Sequence, residues 1–177
     1  ILAGLSSKRY DIIFSSMNIT PERQQQVNFV EYLKMGQVFV VKKSDKPITS
    51  EKQLAGKVVA VQADTTSFSA VEEYKKNGIA IKDIKAFKGA TECFSALKAG
   101  QAEAIVIDEA VGRYYAGLDS KTFVVSGIAM KPEPIGIAVR KEDKKLHEAL
   151  TKIMGQLKQS GSTTKVYEKW LKSKPTF

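Results

Sequence analysis

Lys57-Val58-Val59-Ala60-Val61-Gln62 is an apolar run of strand length and reads as a buried strand. Thr65-Thr66-Ser67 then begins a helix that continues through Lys76, and Gly78 stops it. The alternation repeats along the chain. Ile81 to Phe87 is a strand, and Glu92 to Ala99 is a helix with Phe94 and Leu97 turned inward and Gly100 at its end. Ala104 to Ile107 is a further strand, followed by a helix from Glu109 to about Ala116. Strand–helix–strand–helix from Lys57 to Ala116 implies a parallel sheet covered by helices, so the fold class is α/β.

Toward the N-terminus, Tyr10 to Phe14 reads as a buried strand, and Ser15 to Thr20 as loop. Thr20 is a good N-cap and Pro21 suits a first helical position, so a short helix starts there. Gln37 to Lys43 is a strand of Val and Phe, and Pro47 and Ser50 lead into a short helical segment ending at Gly56. Ile1 to Leu5 reads as the end of a helix with neither an initiator Met nor a signal peptide, the opening of a mature or trimmed fragment. Toward the C-terminus, Pro132 and Pro134 mark a break before a strand from Ile135 to Arg140. Leu146, Ala149, Leu150, Ile153, Met154 and Leu157 fall at helical spacing on one strongly amphipathic helix. Gly161 ends it, and a last helix from about Thr163 to Leu171 carries Val166, Trp170 and Leu171 as a packing edge.

The composition of the 177 residues excludes several classes of function. Hydrophobic residues are 43% and charged residues 27%, which is globular composition. The apolar runs, such as Gln37 to Val41, are too short to span a bilayer. The single cysteine, Cys93, allows no intrachain disulfide and no cysteine-based zinc cluster; it reads as a small buried hydrophobe. The single histidine, His147, rules out a multi-histidine metal site and falls on the polar side of its helix, toward solvent. Lys and Arg number 28 against 19 Asp and Glu, a net charge of +9. Residues 140–177 hold ten of the bases and four of the acids, spaced along helices and not interleaved with stacking aromatics. That is a solvated basic face rather than a nucleic-acid surface. A pI near 9.5 suits work beside anionic lipid or the gathering of anionic ligands.

Sites in open α/β sheets lie at the carboxyl ends of strands. Three such ends stand out: Ser15-Ser16-Met17-Asn18-Ile19-Thr20-Pro21-Glu22-Arg23, Asp64-Thr65-Thr66, and Asp108. Hydroxyls and amides at helix starts can hold an anion, Arg23 can take a carboxylate with two parallel donors, and Asp108 can pair with an ammonium. An anion clamp with one cation partner is what a free amino acid requires. Each residue also has a plain structural use. Thr20, Thr65 and Asp108 can simply cap helices, and Arg23 can sit on the surface of a first turn.

Taken in order, these segments resemble a known family. Asp11-Ile12-Ile13-Phe14-Ser15-Ser16-Met17-Asn18-Ile19-Thr20-Pro21-Glu22-Arg23, with Phe29 and Tyr32 after it, is similar to the signature of the periplasmic amino-acid-binding proteins. These are the type II solute-binding proteins, family 3, of polar amino-acid ABC transporters. The likeness continues through Leu54-Ala55-Gly56-Lys57-Val58-Val59-Ala60-Val61-Gln62 and Thr65-Thr66. It also covers Ala96 to Asp108, Gly136 to Lys141, Gly161 and Tyr167-Glu168-Lys169-Trp170-Leu171.

The resemblance implies a two-lobed fold with two crossing strands, here about Val38 to Lys43 and Ile135 to Arg140. Lobe 1 would comprise residues 1–38 and 135–177, and lobe 2 residues 39–134. It implies that Arg23 holds the ligand α-carboxylate from lobe 1. Thr66, with Thr65, would hold the same group from lobe 2, Asp108 would take the α-ammonium, and Ser16 and Asn18 would offer backbone groups. The family's lobe 1 opens with a strand–helix–strand–helix portion before the point matching Ile1, so lobe 1 is expected to be incomplete here. Asp64 stands where the family usually has Gly, and the Phe29-to-Tyr32 spacing is one residue short. The implied function is an extracytoplasmic receptor, in the periplasm or at the outer face of a bacterial membrane. It would close on a free amino acid and deliver it to an ABC transporter permease, with no cofactor, no metal and no reaction. The alternatives are a dehydratase-type enzyme on the same fold, with Asp64, Asp108, Glu92 or Glu109 as acid or base, and the ligand-sensing domain of a receptor.

Overall fold

The computed structural model describes residues 1–171, and all their side chains except those of Met130, Lys131 and Leu171. It divides into two compact units: residues 1–35 with the chain from 132 onward, and residues 36–131. Two long strands, β2 (Val27–Lys42) and β6 (Phe123–Arg140), run from one unit into the other.

In the second unit β3 (Val58–Gln62) lies between two parallel neighbours. One is β4 (Asp83–Phe87), in register from Val58↔Asp83 to Gln62↔Phe87. The other is β5 (Ala104–Asp108), in register from Val59↔Ala104 to Val61↔Val106. β5 pairs antiparallel with β2, from Gln37↔Asp108 to Val40↔Ile105. Successive side chains leave a strand on opposite faces, and both faces are covered here. Val38, Val40, Ala60, Ile105 and Ile107 pack with Cys93, Phe94 and Leu97 of α4 (Ala90–Lys98). Phe39, Val41, Val59, Val61 and Val106 pack with Val71 of α3 (Thr66–Lys76) and with Ile48 and Leu54. That is why these strands read as unbroken apolar runs. Each such side chain contributes about 1.5–3 kcal/mol on full burial. Gly112, in α5 (Glu109–Leu118), lets this helix approach the sheet closely. A Cβ there would stand 2.7 Å from Val38 Cγ2.

In the first unit the strand pairing is shorter. β1 is only Ile12–Ile13, paired antiparallel with Val139 and Ala138 of β6. The expected strand from Tyr10 to Phe14 is therefore too long, because β6 offers it partners for two residues, and Phe14 is 56% exposed. Leu5 of α1 (Leu2–Ser6), Ile13, Met17, Val27 and Ala138 form one buried cluster. Val30 and Ile137 form another with Met154 of α6 (Lys144–Gln159). α7 (Ser162–Leu171) follows Gly161, which lies at φ +72°. Arg140 is buried at the end of β6 and ties the unit together. It pairs with Asp11 at 2.7 Å and with Asp143 at 2.6 Å, and donates to the carbonyls of Leu5 and Tyr10.

Three further expectations change. β2 begins at Val27 rather than Gln37, so Phe29 and Tyr32 lie on a strand. Pro132 and Pro134 do not break β6, which runs through both. A strand tolerates proline where no amide donor is needed. Pro134 serves as an acceptor, its carbonyl taking Ile19 N–H at 2.8 Å, and Gly136 N then donates to Met17 O at 3.0 Å. His147 is half-buried rather than solvated, with Nε2 3.0 Å from the Phe29 carbonyl that the early start of β2 brings against α6.

Candidate functional site

In the first unit the loop after β1 gathers three of the six candidates. Thr20 caps α2 (Pro21–Gln26), its Oγ1 accepting from Arg23 N at 3.3 Å, with Pro21 in the first turn as expected. Hydrogen bonds from its own backbone amide and from Thr20 hold the Glu22 carboxyl below the usual range. The cap fixes where Arg23 leaves the helix. Arg23 is half-buried, and its Nη1 donates to the Asn18 carbonyl at 2.8 Å. Asn18 is 4% exposed, forms an antiparallel bridge with Ile135, and donates through Nδ2 to Glu133 Oε2 at 2.8 Å. Ser16 takes a left-handed conformation at φ +52°, and its amide donates to the Tyr32 hydroxyl at 3.3 Å. The loop is thus pinned at both ends: Arg23 and Asn18 share one hydrogen bond, and Ser16 is tied separately to Tyr32.

In the second unit Thr65 caps α3. Its Oγ1 accepts from Phe68 N at 3.3 Å and donates to the Gln62 carbonyl at 2.7 Å, so its hydroxyl works inside the cap. Thr66, the first helical residue, accepts at Oγ1 from Gln37 Nε2 at 2.5 Å. Asp64 sits at φ +59°, in the left-handed region where glycine is the least strained residue. Asp108 occupies the N-cap position of α5, and its side chain makes no capping hydrogen bond. It stands opposite Gln37 in the β2–β5 register. Thr65, Thr66 and Asp108 therefore all lie at the carboxyl ends of neighbouring strands β3 and β5.

Sequence reasoning missed Gln37, Glu133 and the Phe14–Tyr32 pair. Gln37 is 1% exposed, and its signal was a lone amide inside a run of Val and Phe. Glu133 stands between two prolines on β6 and binds Asn18. Phe14 meets Tyr32 edge-on with ring centroids 4.7 Å apart, an aromatic pair beside Ser16. Of the carboxylates considered as acids or bases, Asp108 is half-buried at the end of β5, and the other three are placed otherwise. Glu109 is paired with Arg113 at 2.7 Å, and Glu92 and Asp64 are exposed. Among the described residues no three His, Cys, Asp or Glu side chains cluster to hold a metal, and no helix is long and apolar enough to cross a membrane.

A family model described as bacterial extracellular solute-binding proteins, family 3, matches residues 1–173. The ABC transporter glutamine-binding protein of Bacillus subtilis (strain 168) is 32% identical over 167 residues, which are 93% of this chain. The chain spans 59% of that relative's length. Among solved structures, an ancestral arginine-binding protein bound to arginine matches with a TM-score of 0.85 at 36% identity, over 96% of this chain and 75% of that one. The ancestral amino-acid-binding protein AncCDT-1, a precursor of cyclohexadienyl dehydratase, matches with a TM-score of 0.84 at 36% identity, over 97% of this chain and 73% of that one.

Proposed function

We propose, from the premise that this chain belongs to the bacterial extracellular solute-binding proteins, family 3, that it captures a free polar amino acid outside the cytoplasm and hands it to an ABC transporter permease. Arg23 and Thr66 take the α-carboxylate, Asp108 takes the α-ammonium, and the Ser16–Asn18 loop and Thr65 supply backbone groups. β2 and β6 act as the hinge, and the ligand drives closure because it gains contacts in the closed state. The two lobes of this mechanism are the two compact units, with the hinge near 35–36 and 131–132. The relatives named above bind glutamine and arginine, which favours a polar ligand here.

The observation that carries the proposal is the placement of Arg23. A guanidinium half-buried on the first turn of α2, with one nitrogen fixed on the Asn18 carbonyl, is held in place before any ligand arrives. Pre-aimed planar donors are suited to a carboxylate. Of the four carboxylates open to the dehydratase alternative, Glu109 is held by Arg113 and Glu92 and Asp64 are exposed, which leaves Asp108 alone to serve as acid or base.

The test is a thermal-shift screen of the twenty amino acids, followed by calorimetric titration of variants with the best ligand. A ligand at a hundred times its Kd adds roughly 2.7 kcal/mol of stability. Arg23→Ala and Asp108→Ala should each cost about 2–5 kcal/mol of binding, the scale for removing one partner of a buried charge pair. That is roughly a 30-fold loss or more. Arg23→Lys should rescue only in part, and Glu148→Ala, on the exposed side of α6, should bind normally. No shift with any amino acid, or both alanine variants within about threefold of the parent, would overturn the proposal.

A further inference from the structure

We propose that Gln37 is a positioning residue, whose buried amide holds the Thr66 hydroxyl so that it donates its proton to the ligand's α-carboxylate. This rests on the reading of Thr66 given above. Gln37 is 1% exposed on β2, directly before the buried run Val38-Phe39-Val40-Val41. An amide buried there is costly unless it is hydrogen-bonded. Its Nε2 lies 2.5 Å from Thr66 Oγ1, and its Oε1 has no hydrogen-bond partner among the described residues. The register sets Gln37 opposite Asp108, so one strand position adjoins both groups assigned to the ligand head in this unit.

The direction of that hydrogen bond matters. A hydroxyl has one proton to give. Thr65 has already given its proton to the Gln62 carbonyl. Thr66 receives an N–H from Gln37, so its own proton points away from the amide. The opposite orientation of the same amide would take the Thr66 proton on Oε1 and leave that hydroxyl nothing to offer an anion. Gln37 therefore does two things. It fixes the Thr66 side chain in one rotamer, and it reserves the O–H for a negatively charged acceptor, where hydrogen bonds are strongest.

The experiment uses L-arginine, L-glutamine and L-histidine as probes, and the tightest binder is compared with its own α-carboxamide. The variants are Gln37→Met, Thr66→Val and the pair together. Gln37→Met should weaken the free acid about tenfold and its carboxamide less than about twofold, since removing an oriented hydrogen bond to a charged group acts on the charged ligand. In the Thr66→Val background, Gln37→Met should cost less than about twofold, the signature of two residues acting through one bond. Gln37→Glu provides a second reading that does not depend on the methionine variant folding. A carboxylate at that place accepts the Thr66 proton and repels the ligand, so binding of the acid should fall further and recover as the pH is lowered. Equal losses for acid and carboxamide, or additive losses in the double variant, make Gln37 merely structural and overturn the proposal. If Thr66→Val alone binds normally, the reading of Thr66 fails and Gln37 falls with it. If none of the three probes binds, the tightest binder of the twenty-amino-acid screen replaces them, and if none of the twenty binds the parent protein, the amino-acid reading itself fails and Gln37 falls with it.

Discussion

Cys93 shows what a two-sided sheet does to a single residue. It sits at 0% exposure among Val38, Phe94 and Leu97. Burial, with the charge of Glu92 adding to it, pushes its thiol from the ordinary 9.0 up to about 12. The thiolate is the reactive form, so native protein at pH 8 should resist iodoacetamide and become alkylated quickly once unfolded in guanidinium. Mass spectrometry of the alkylated chain checks this, and rapid native labelling would contradict the burial. The same shift has a sign for stability. Because folding raises this pKa, its contribution is whole below pH 9 and is lost as the pH climbs toward 12. Cys93→Val should flatten the stability profile in that window relative to the parent. Local chemistry of this kind was legible from the residues. So were the caps of Thr20 and Thr65, because capping depends on a few neighbouring atoms. The failure of Asp108 to cap and the contact of His147 with Phe29 O were not, because each depends on backbone angles or a partner far along the chain. Asp64 lies between these cases: the expected glycine at its place is explained by φ +59°, which no residue-type pattern announces.

At the scale of elements, two glycines on two helices make opposite predictions. Alanine in a helix interior is favoured over glycine by about 1 kcal/mol. On α6, a Cβ at Gly155 would meet nothing within 4 Å, so Gly155→Ala should stabilise by about 0.5–1 kcal/mol. On α5, a Cβ at Gly112 would come within 2.7 Å of Val38 Cγ2 and 3.1 Å of Ile107 Cγ2. Overpacking of that kind costs about 1–3 kcal/mol, more than the propensity returns, so Gly112→Ala should be destabilising. Urea titration of both variants decides, and a stabilised Gly112→Ala would mean that α5 can move off the sheet freely. The order of elements in the second unit could be read from sequence because runs buried on both faces leave a strong apolar signature. Strand limits could not. β1 is short and β6 is long for reasons held by their partners, and the prolines misled because the carbonyl of Pro134, not its missing amide, makes the bond.

For the whole molecule, the first unit leaves apolar surface uncovered. Ile153 and Leu157 of α6 are 49% and 38% exposed, and Val166 and Trp170 of α7 are 59% and 64% exposed. Apolar surface of this extent drives association. The 177-residue chain handled alone should therefore dimerise or aggregate and bind a hydrophobic dye. Leu157→Glu with Trp170→Glu should shift it toward monomer in analytical ultracentrifugation, and a sharp-melting monomeric parent would count against this.

The two units also differ in how the chain visits them. The second is one continuous stretch, residues 36–131, while the first draws on both ends of the chain. When the chain folds, the difference becomes one of order. The continuous unit finds its partners within one stretch and can settle by itself. Residues 1–35 must wait: β1 has no strand to join until Ala138 and Val139 come back to it, and Asp11 lacks Arg140 until then. Until then Leu5, Ile13 and Val27 stay without Ala138, the late-arriving member of their core. After dilution from denaturant, amide protection should accordingly appear in residues 36–131 before it appears around β1, an order that pulsed hydrogen exchange reads.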